Sequence, residues 1–197
     1  MIKNKLKTRW NLLFSLMIIS FLIGLFFTCF MSKSDKNILI KYIDHFFKII
    51  KSSKTNSFKL LESYIFQNTF ISIFIWILGI SLIGFIFIIF IILFKTFLYG
   101  FTCSSLFYYF GFKGLINIIL YLVPLTINLF IFYYLSFFSL KFSYSFIKLI
   151  LFNNVSISNK RVVLIKYFKV LISSLIFFLI SNLFEIFIIY NLLSRIH

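Results

Sequence analysis

An all-α, polytopic integral membrane fold follows from three features of the sequence. Of its 197 residues, 62% are hydrophobic and 23% aromatic, far above the roughly 45–50% apolar share of a soluble domain. The apolar residues fall in long uncharged blocks, and blocks of about 18 or more read as membrane spans. The lysines lie between those blocks, so the net charge of +16 marks connecting segments. It does not mark a basic domain with interleaved exposed aromatics, and nucleic acid is not an expected partner. A single membrane domain over 1–197 is predicted, with about five transmembrane helices plus amphipathic interfacial helices.

The first span is expected over 12–30. Lys3, Lys5, Lys7 and Arg9 precede it, and it lacks a small-x-small cleavage site, so it reads as an uncleaved anchor with a cytoplasmic N-terminus. An extracytoplasmic loop over 31–68 follows. Within it, ILIKYIDHFFKIIK places Lys41, Asp44, His45, Lys48 and Lys51 on one helical face, opposite Ile40, Ile43, Phe46, Phe47 and Ile50. That pattern predicts an interfacial helix on the lipid headgroups, and its Lys41, Lys48 and Lys51 face is a candidate docking surface for an extracytoplasmic partner.

The second span is expected over 69–94. Its length of about 39 Å exceeds the ~30 Å hydrocarbon core, which requires tilt or bending. Gly79, Ser81 and Gly84 are small residues suited to close helix contact. Lys95 ends this run and reads as a topological stop whose ammonium snorkels to the headgroups. A short span over 97–112 comes next, with a re-entrant hairpin as the alternative. The fourth span, 116–138, contains Pro124, whose missing N–H predicts a kink eased by Thr126 and Asn128. A basic cytoplasmic loop over 141–169 precedes the last span, 170–190. The 31–68 loop carries seven lysines as well, so charge alone orients the chain only weakly.

Catalytic chemistry has little to work with. The only acids are Asp35, Asp44, Glu62 and Glu185, and the chain has no Gly-rich phosphate loop, GxSxG or HExxH. No enzymatic activity, cofactor or small-molecule substrate is expected. His45 and His197 are too far apart in the sequence for a metal site, and Cys29 and Cys103 read as packing residues. Glu185 is the one intramembrane acid. Ser181 and Asn182 precede it by four and three residues, so the three share a helix face. An ionisable group in a span is by default a functional candidate. The preferred reading is a buried hydrogen-bonded group joining the last span to its neighbours, with transport as the alternative.

The succession WILGISLIG, FK followed by GFT, GFKG, LVPLTIN and a final span containing FE resembles the stage II sporulation protein M family. The weight rests on Gly79, Gly84, Lys95, Gly100, Thr102, Gly111, Lys113, Gly114, Pro124, Asn128 and Glu185. Thr96 stands where the family commonly has glycine, and the proline expected just after the last-span glutamate is absent. The resemblance implies a membrane scaffold of the engulfment machinery in endospore formation. It would sit in the bacterial cell membrane, at the mother-cell membrane around the forespore, and anchor peptidoglycan-degrading partners, the stage II sporulation proteins P and D. The reading from another class is a small permease or export component.

Overall fold

Backbone N–H and C=O groups find no water in hydrocarbon, so apolar blocks must satisfy them within helices. The computed structural model describes residues 2–52, 57–81, 83–112, 115–152 and 157–195. Among the described residues it is all-helical: α1 (Ile2–Phe30), α2 (Lys33–Ser52), α3 (Ser57–Ile80), α4 (Gly84–Phe110), α5 (Leu115–Phe152) and α6 (Ile157–Arg195). The stretches Asn11–Phe30, Gly84–Phe110, Ile118–Ser145 and Leu164–Ile188 are each long and apolar enough to cross a membrane. The apolar part of α3, Ile65–Ile80, is about 24 Å long, shorter than the ~30 Å core. The all-α membrane fold predicted from composition is therefore the fold observed.

The helix boundaries differ from those expected. The run anticipated as one span over 69–94 is two helices, α3 ending at Ile80 and α4 beginning at Gly84, which run in opposite directions. Gly84 makes the turn possible, because a Cβ there would land on the Leu78 carbonyl. The Ser81 amide closes the end of α3 onto Leu78 O at 3.0 Å. Residues 97–110 are accordingly the second half of α4, neither a separate span nor a re-entrant hairpin. At the far end of α4, Gly111 takes φ +61°, and its amide caps Phe107 O at 2.9 Å. With ψ at −166° this is a conformation nearly confined to glycine, and a side chain there would cost about 1–3 kcal/mol. The expected loop over 141–169 is mostly helix as well. Both α5 and α6 run beyond the apolar core, and the break foreseen around NNVSISNKR falls partly on 153–156, outside the described residues.

Helix directions follow from the contacts. The Ser20 hydroxyl donates to Leu93 O at 2.7 Å, while Gly24, one turn on, faces Phe97 and Phe101, so α1 and α4 run parallel. Asn128 and Phe132 meet Glu185 and Phe178, so α5 and α6 are antiparallel. α3 also packs against both α5 and α6. The apolar core lies among these helices, with Ile75, Ile88, Ile92, Leu135 and Phe178 almost completely enclosed. The outward faces of the spans carry exposed Ile, Leu and Phe throughout, as expected where lipid is the solvent.

At the loop end of the bundle, Tyr167 of α6 is clasped between two rings. It stacks on Phe142 at 4.0 Å and on Trp76 at 5.3 Å. Its hydroxyl donates to Trp76 O at 2.7 Å and lies 2.9 Å from Ser139 Oγ. Gly79 admits that hydroxyl, since a Cβ at this position would collide with it. On α5, Ser136, Ser139 and Ser143 are fully buried at the three- and four-residue spacing of one helix face. Small side chains there allow close packing against α3, and Ser143 Oγ reaches Ser81 O at 3.1 Å.

At the opposite end, α2 lies against the end of α4. Ser32 begins α2 as an N-cap, with its hydroxyl accepting from the Asp35 amide at 3.2 Å and donating to Asp35 Oδ2 at 2.7 Å. Phe47 stacks near Tyr109 and Phe110, and the Tyr109 hydroxyl donates to Asp44. Lys41 and Lys48 are exposed, and the Lys51 side chain lies outside the described ones. Cys29 is exposed and Cys103 half-buried, so Cys29 is not the packing residue that its apolar setting predicted.

Candidate functional site, a polar chamber among four helices

A residue that carries charge or unpaired polar atoms deep in a bundle is costly, so several such residues around one space deserve a chemical reading. Glu185 of α6 is buried at 1% exposure. Its Oε2 accepts from Asn128 Nδ2 of α5 at 3.1 Å. One turn back on α6, Asn182 Oδ1 accepts from Asn68 Nδ2 of α3 at 2.8 Å. Two amide bridges thus tie α6 to two different helices, on the face that Ser181, Asn182 and Glu185 were predicted to share.

The bridges leave polar capacity over. Oε1 of Glu185, Oδ1 of Asn128, Nδ2 of Asn182 and Oγ of Ser181 are buried without a protein partner. Asn68, Asn128 and Glu185 line a cavity of about 160 Å³ together with Gln67, Lys95, Tyr99 and Thr102. Such a space accommodates a few waters, which commonly bridge unpaired polar atoms of this kind.

Lys95 belongs to this chamber, which overturns its reading as a stop. It sits in mid-helix, eleven residues after Gly84 and fifteen before Phe110, about 16 Å and 22 Å from the two ends of α4. Its ammonium lies 5.3 Å from the centre of the Phe132 ring, a cation–π arrangement that partly replaces lost hydration. The chain instead breaks between α3, ending at Ile80, and α4, beginning at Gly84. The lysine therefore needs a different explanation from snorkelling at a span end, and the chamber wall supplies it.

The other predicted residues divide between packing and the chamber. Gly100 faces α1, where a Cβ would strike Phe21 O. Thr102 bonds to its own helix at Leu98 O, 2.9 Å away. Pro124 is fully buried within a continuous α5. Near it, Thr126 Oγ1 donates to Val123 O at 2.6 Å and the Tyr99 hydroxyl reaches Leu122 O at 3.3 Å from α4. Asn128, expected to serve the proline kink, turns to Glu185 instead. Lys113 and Gly114 lie outside the described residues. The sequence reading missed Asn68, Tyr99, Gly24 and Tyr167. Asn68 and Tyr99 are single polar residues whose partners are remote in the chain. The buried serines of α5 were missed as well, although their three- and four-residue spacing was a periodic signal.

The family model described as Stage II sporulation protein M matches residues 14–189. No curated protein matches the chain, and no solved structure does. The match covers most of the chain, including every helix of the bundle, and the chain belongs to that family.

Proposed function

We propose that this family member is a membrane scaffold of the sporulation engulfment machinery, anchoring the peptidoglycan-degrading stage II sporulation proteins P and D at the mother-cell membrane around the forespore. The family match over 14–189 is the observation that carries this reading, and it supports a sporulation-related membrane protein directly. The orientation proposed from the N-terminal cations puts α2 on the extracytoplasmic side. There its Lys41 and Lys48, both exposed, offer a cationic face to a secreted-side partner. α2 itself lies on α4 through the Phe47 and Tyr109 rings, so the face is presented on a fixed support.

Reversing Lys41, Lys48 and Lys51 to Glu tests the docking role. Insertion is expected to be unchanged, because no span is altered. Recovery of the hydrolases with the tagged protein should fall about tenfold or more, since like charges set against each other across an interface cost several kcal/mol. Unchanged co-purification together with normal engulfment would remove this face from the scaffold.

One observation favours a second reading, a small permease. Lys95 and Glu185 on the wall of one cavity are the kind of intramembrane polar group that marks a solute path. Flux through liposomes containing the purified protein separates the two readings. A scaffold shows none, whereas a permease shows flux that Lys95→Leu and Glu185→Gln abolish.

A further inference from the structure

The polar chamber is closed at one end. Each of the four helices around it contributes one polar wall residue, Asn68 of α3, Lys95 of α4, Asn128 of α5 and Glu185 of α6. One to two turns further toward the α3–α4 junction, the same helices present Ile75, Ile92, Leu135 and Phe178, all almost completely enclosed. That apolar plug blocks the way to the junction end. In the other direction Gln67, on the chamber wall, is exposed. Glu185 stands three residues before Ile188, where the apolar stretch of α6 ends, about 4.5 Å along the axis. A solute therefore enters from the end of the bundle that carries α2.

The walls say what that solute is. Glu185 and Asn128 are 1% and 6% exposed, and each has an oxygen, Oε1 and Oδ1, without a protein partner. Across the space, the Lys95 ammonium rests on the Phe132 ring and makes no ion pair with Glu185. One cavity thus holds both signs of charge, unjoined, in surroundings where an unpaired charge is costly. An occupant with an ammonium alone meets repulsion from Lys95, and one with a carboxylate alone meets it from Glu185. Water fills the space but brings neither charge. The volume of about 160 Å³ is that of about five waters, so the occupant is small. We propose that the chamber binds a small zwitterion of the amino-acid type, its ammonium at the free oxygens of Glu185 and Asn128 and its carboxylate at Lys95. The site requires neither a hydrolase partner nor passage through the membrane, so it goes beyond both readings given above.

Equilibrium binding of radiolabelled alanine to the full chain in nanodiscs tests the proposal. One saturable site per chain is expected. Propionate and ethylamine are alanine without its ammonium and without its carboxylate. Each should displace the label about thirtyfold or more less well than unlabelled alanine, as the loss of one partner from a buried charge contact does. Lys95→Leu and Glu185→Gln should each weaken alanine binding by a similar factor while the chain stays folded. The displacement series is read on the unaltered chain, so it holds even where a variant fails to fold. Displacement by either single-charge analogue as effective as that by alanine, or alanine binding unchanged in either variant, would overturn the zwitterion site. No saturable binding of alanine, glycine or serine would leave water as the occupant and overturn the proposal entirely. Recovery of the hydrolases is a separate measurement, so failure of the scaffold reading and failure of this site are told apart.

Discussion

Where α1 meets α4 the two helices touch backbone to backbone. A Cβ on Gly24 would strike Phe97 O, and one on Gly100 would strike Phe21 O, so each glycine is the notch for the other helix. Aromatic rings flank the crossing, with Phe27 edge-on to Phe97 and Phe101 and Phe21 stacked on Tyr99. Where α6 meets α3 and α5, by contrast, side chains reach across: Asn68 to Asn182, Asn128 to Glu185, Tyr167 to Trp76 and Ser139. Lipid is as apolar as leucine, so burying more leucine gives neighbouring helices no preference for each other over lipid. Close van der Waals approach and interhelical hydrogen bonding remain, and the two seams weight them differently. Backbone approach dominates between α1 and α4, where the Ser20 hydroxyl bonds to Leu93 O, and side-chain bonds are more numerous where α6 meets α3 and α5. Among the described residues the tightly notched seam shows no buried unpaired polar atom, whereas the hydrogen-bonded one borders a chamber with several. The unpaired polar atoms lie on α5 and α6, and α4 contributes Lys95 and Tyr99 to the wall of the cavity they border.

The strongest way to break this contrast is to fill the notch. Gly100→Ala puts a methyl onto Phe21 O, where no flexible side chain can yield, and the helices must separate. Overpacking of this kind costs about 1–3 kcal/mol, and Gly100→Leu should cost more. Unfolding in mixed micelles and the amount of protein in membranes would register both changes, with Gly24→Ala behaving alike from the other side. Wild-type stability in the two alanine variants would show that the helices do not approach so closely.

A moderate effect is expected at the polar seam. Glu185→Leu leaves the Asn128 amide buried without its acceptor, a loss of about 1–3 kcal/mol. Glu185→Gln keeps an acceptor for that amide and should stay within the ~0.6 kcal/mol typical of interhelical hydrogen bonds in membranes. Sporulation should therefore survive Gln and be impaired by Leu. Engulfment blocked equally by both, with the folded protein present in normal amounts, would point to the carboxyl group's chemistry and favour the permease reading.

The smallest effect on folding is expected at Lys95. Leucine there removes a cation from mid-helix, where insertion scales assign a lysine about 2.5–3.5 kcal/mol, while the break between α3 and α4 stays as it is. Lys95→Leu should insert with unchanged topology and in equal or greater amounts, read by cysteine labelling after replacement of Cys29 and Cys103. Displacement of the downstream spans would restore the lysine's role as a stop and remove it from the chamber's design.

The shared face of Ser181, Asn182 and Glu185 was legible because helical periodicity is local, and the same holds for the amphipathic pattern of α2. The break between α3 and α4 was hidden, since ISLIG is apolar enough to continue a span and only the approach of Gly84 to the Leu78 carbonyl reveals what that glycine is for. Lys95 misled for a related reason: a single charge between apolar blocks looks like a boundary in one dimension and like a chamber wall in three.

Composition and block length by themselves determined that the chain is helical and lives in a membrane, because a long unbroken apolar run satisfies its backbone in hydrocarbon within its own helix, whereas a closed barrel needs short strands of alternating polarity. The order of residues also carried the family. Which helices run parallel, that Gly24 notches against Gly100, and that Asn68, Lys95, Asn128 and Glu185 surround one space were decided only by the tertiary structure. These residues lie far apart in the chain, and lipid-facing apolar sequence is nearly the same on every side of a helix. Only close backbone approach and paired polar groups, which exist once helices have met, distinguish one neighbour from another.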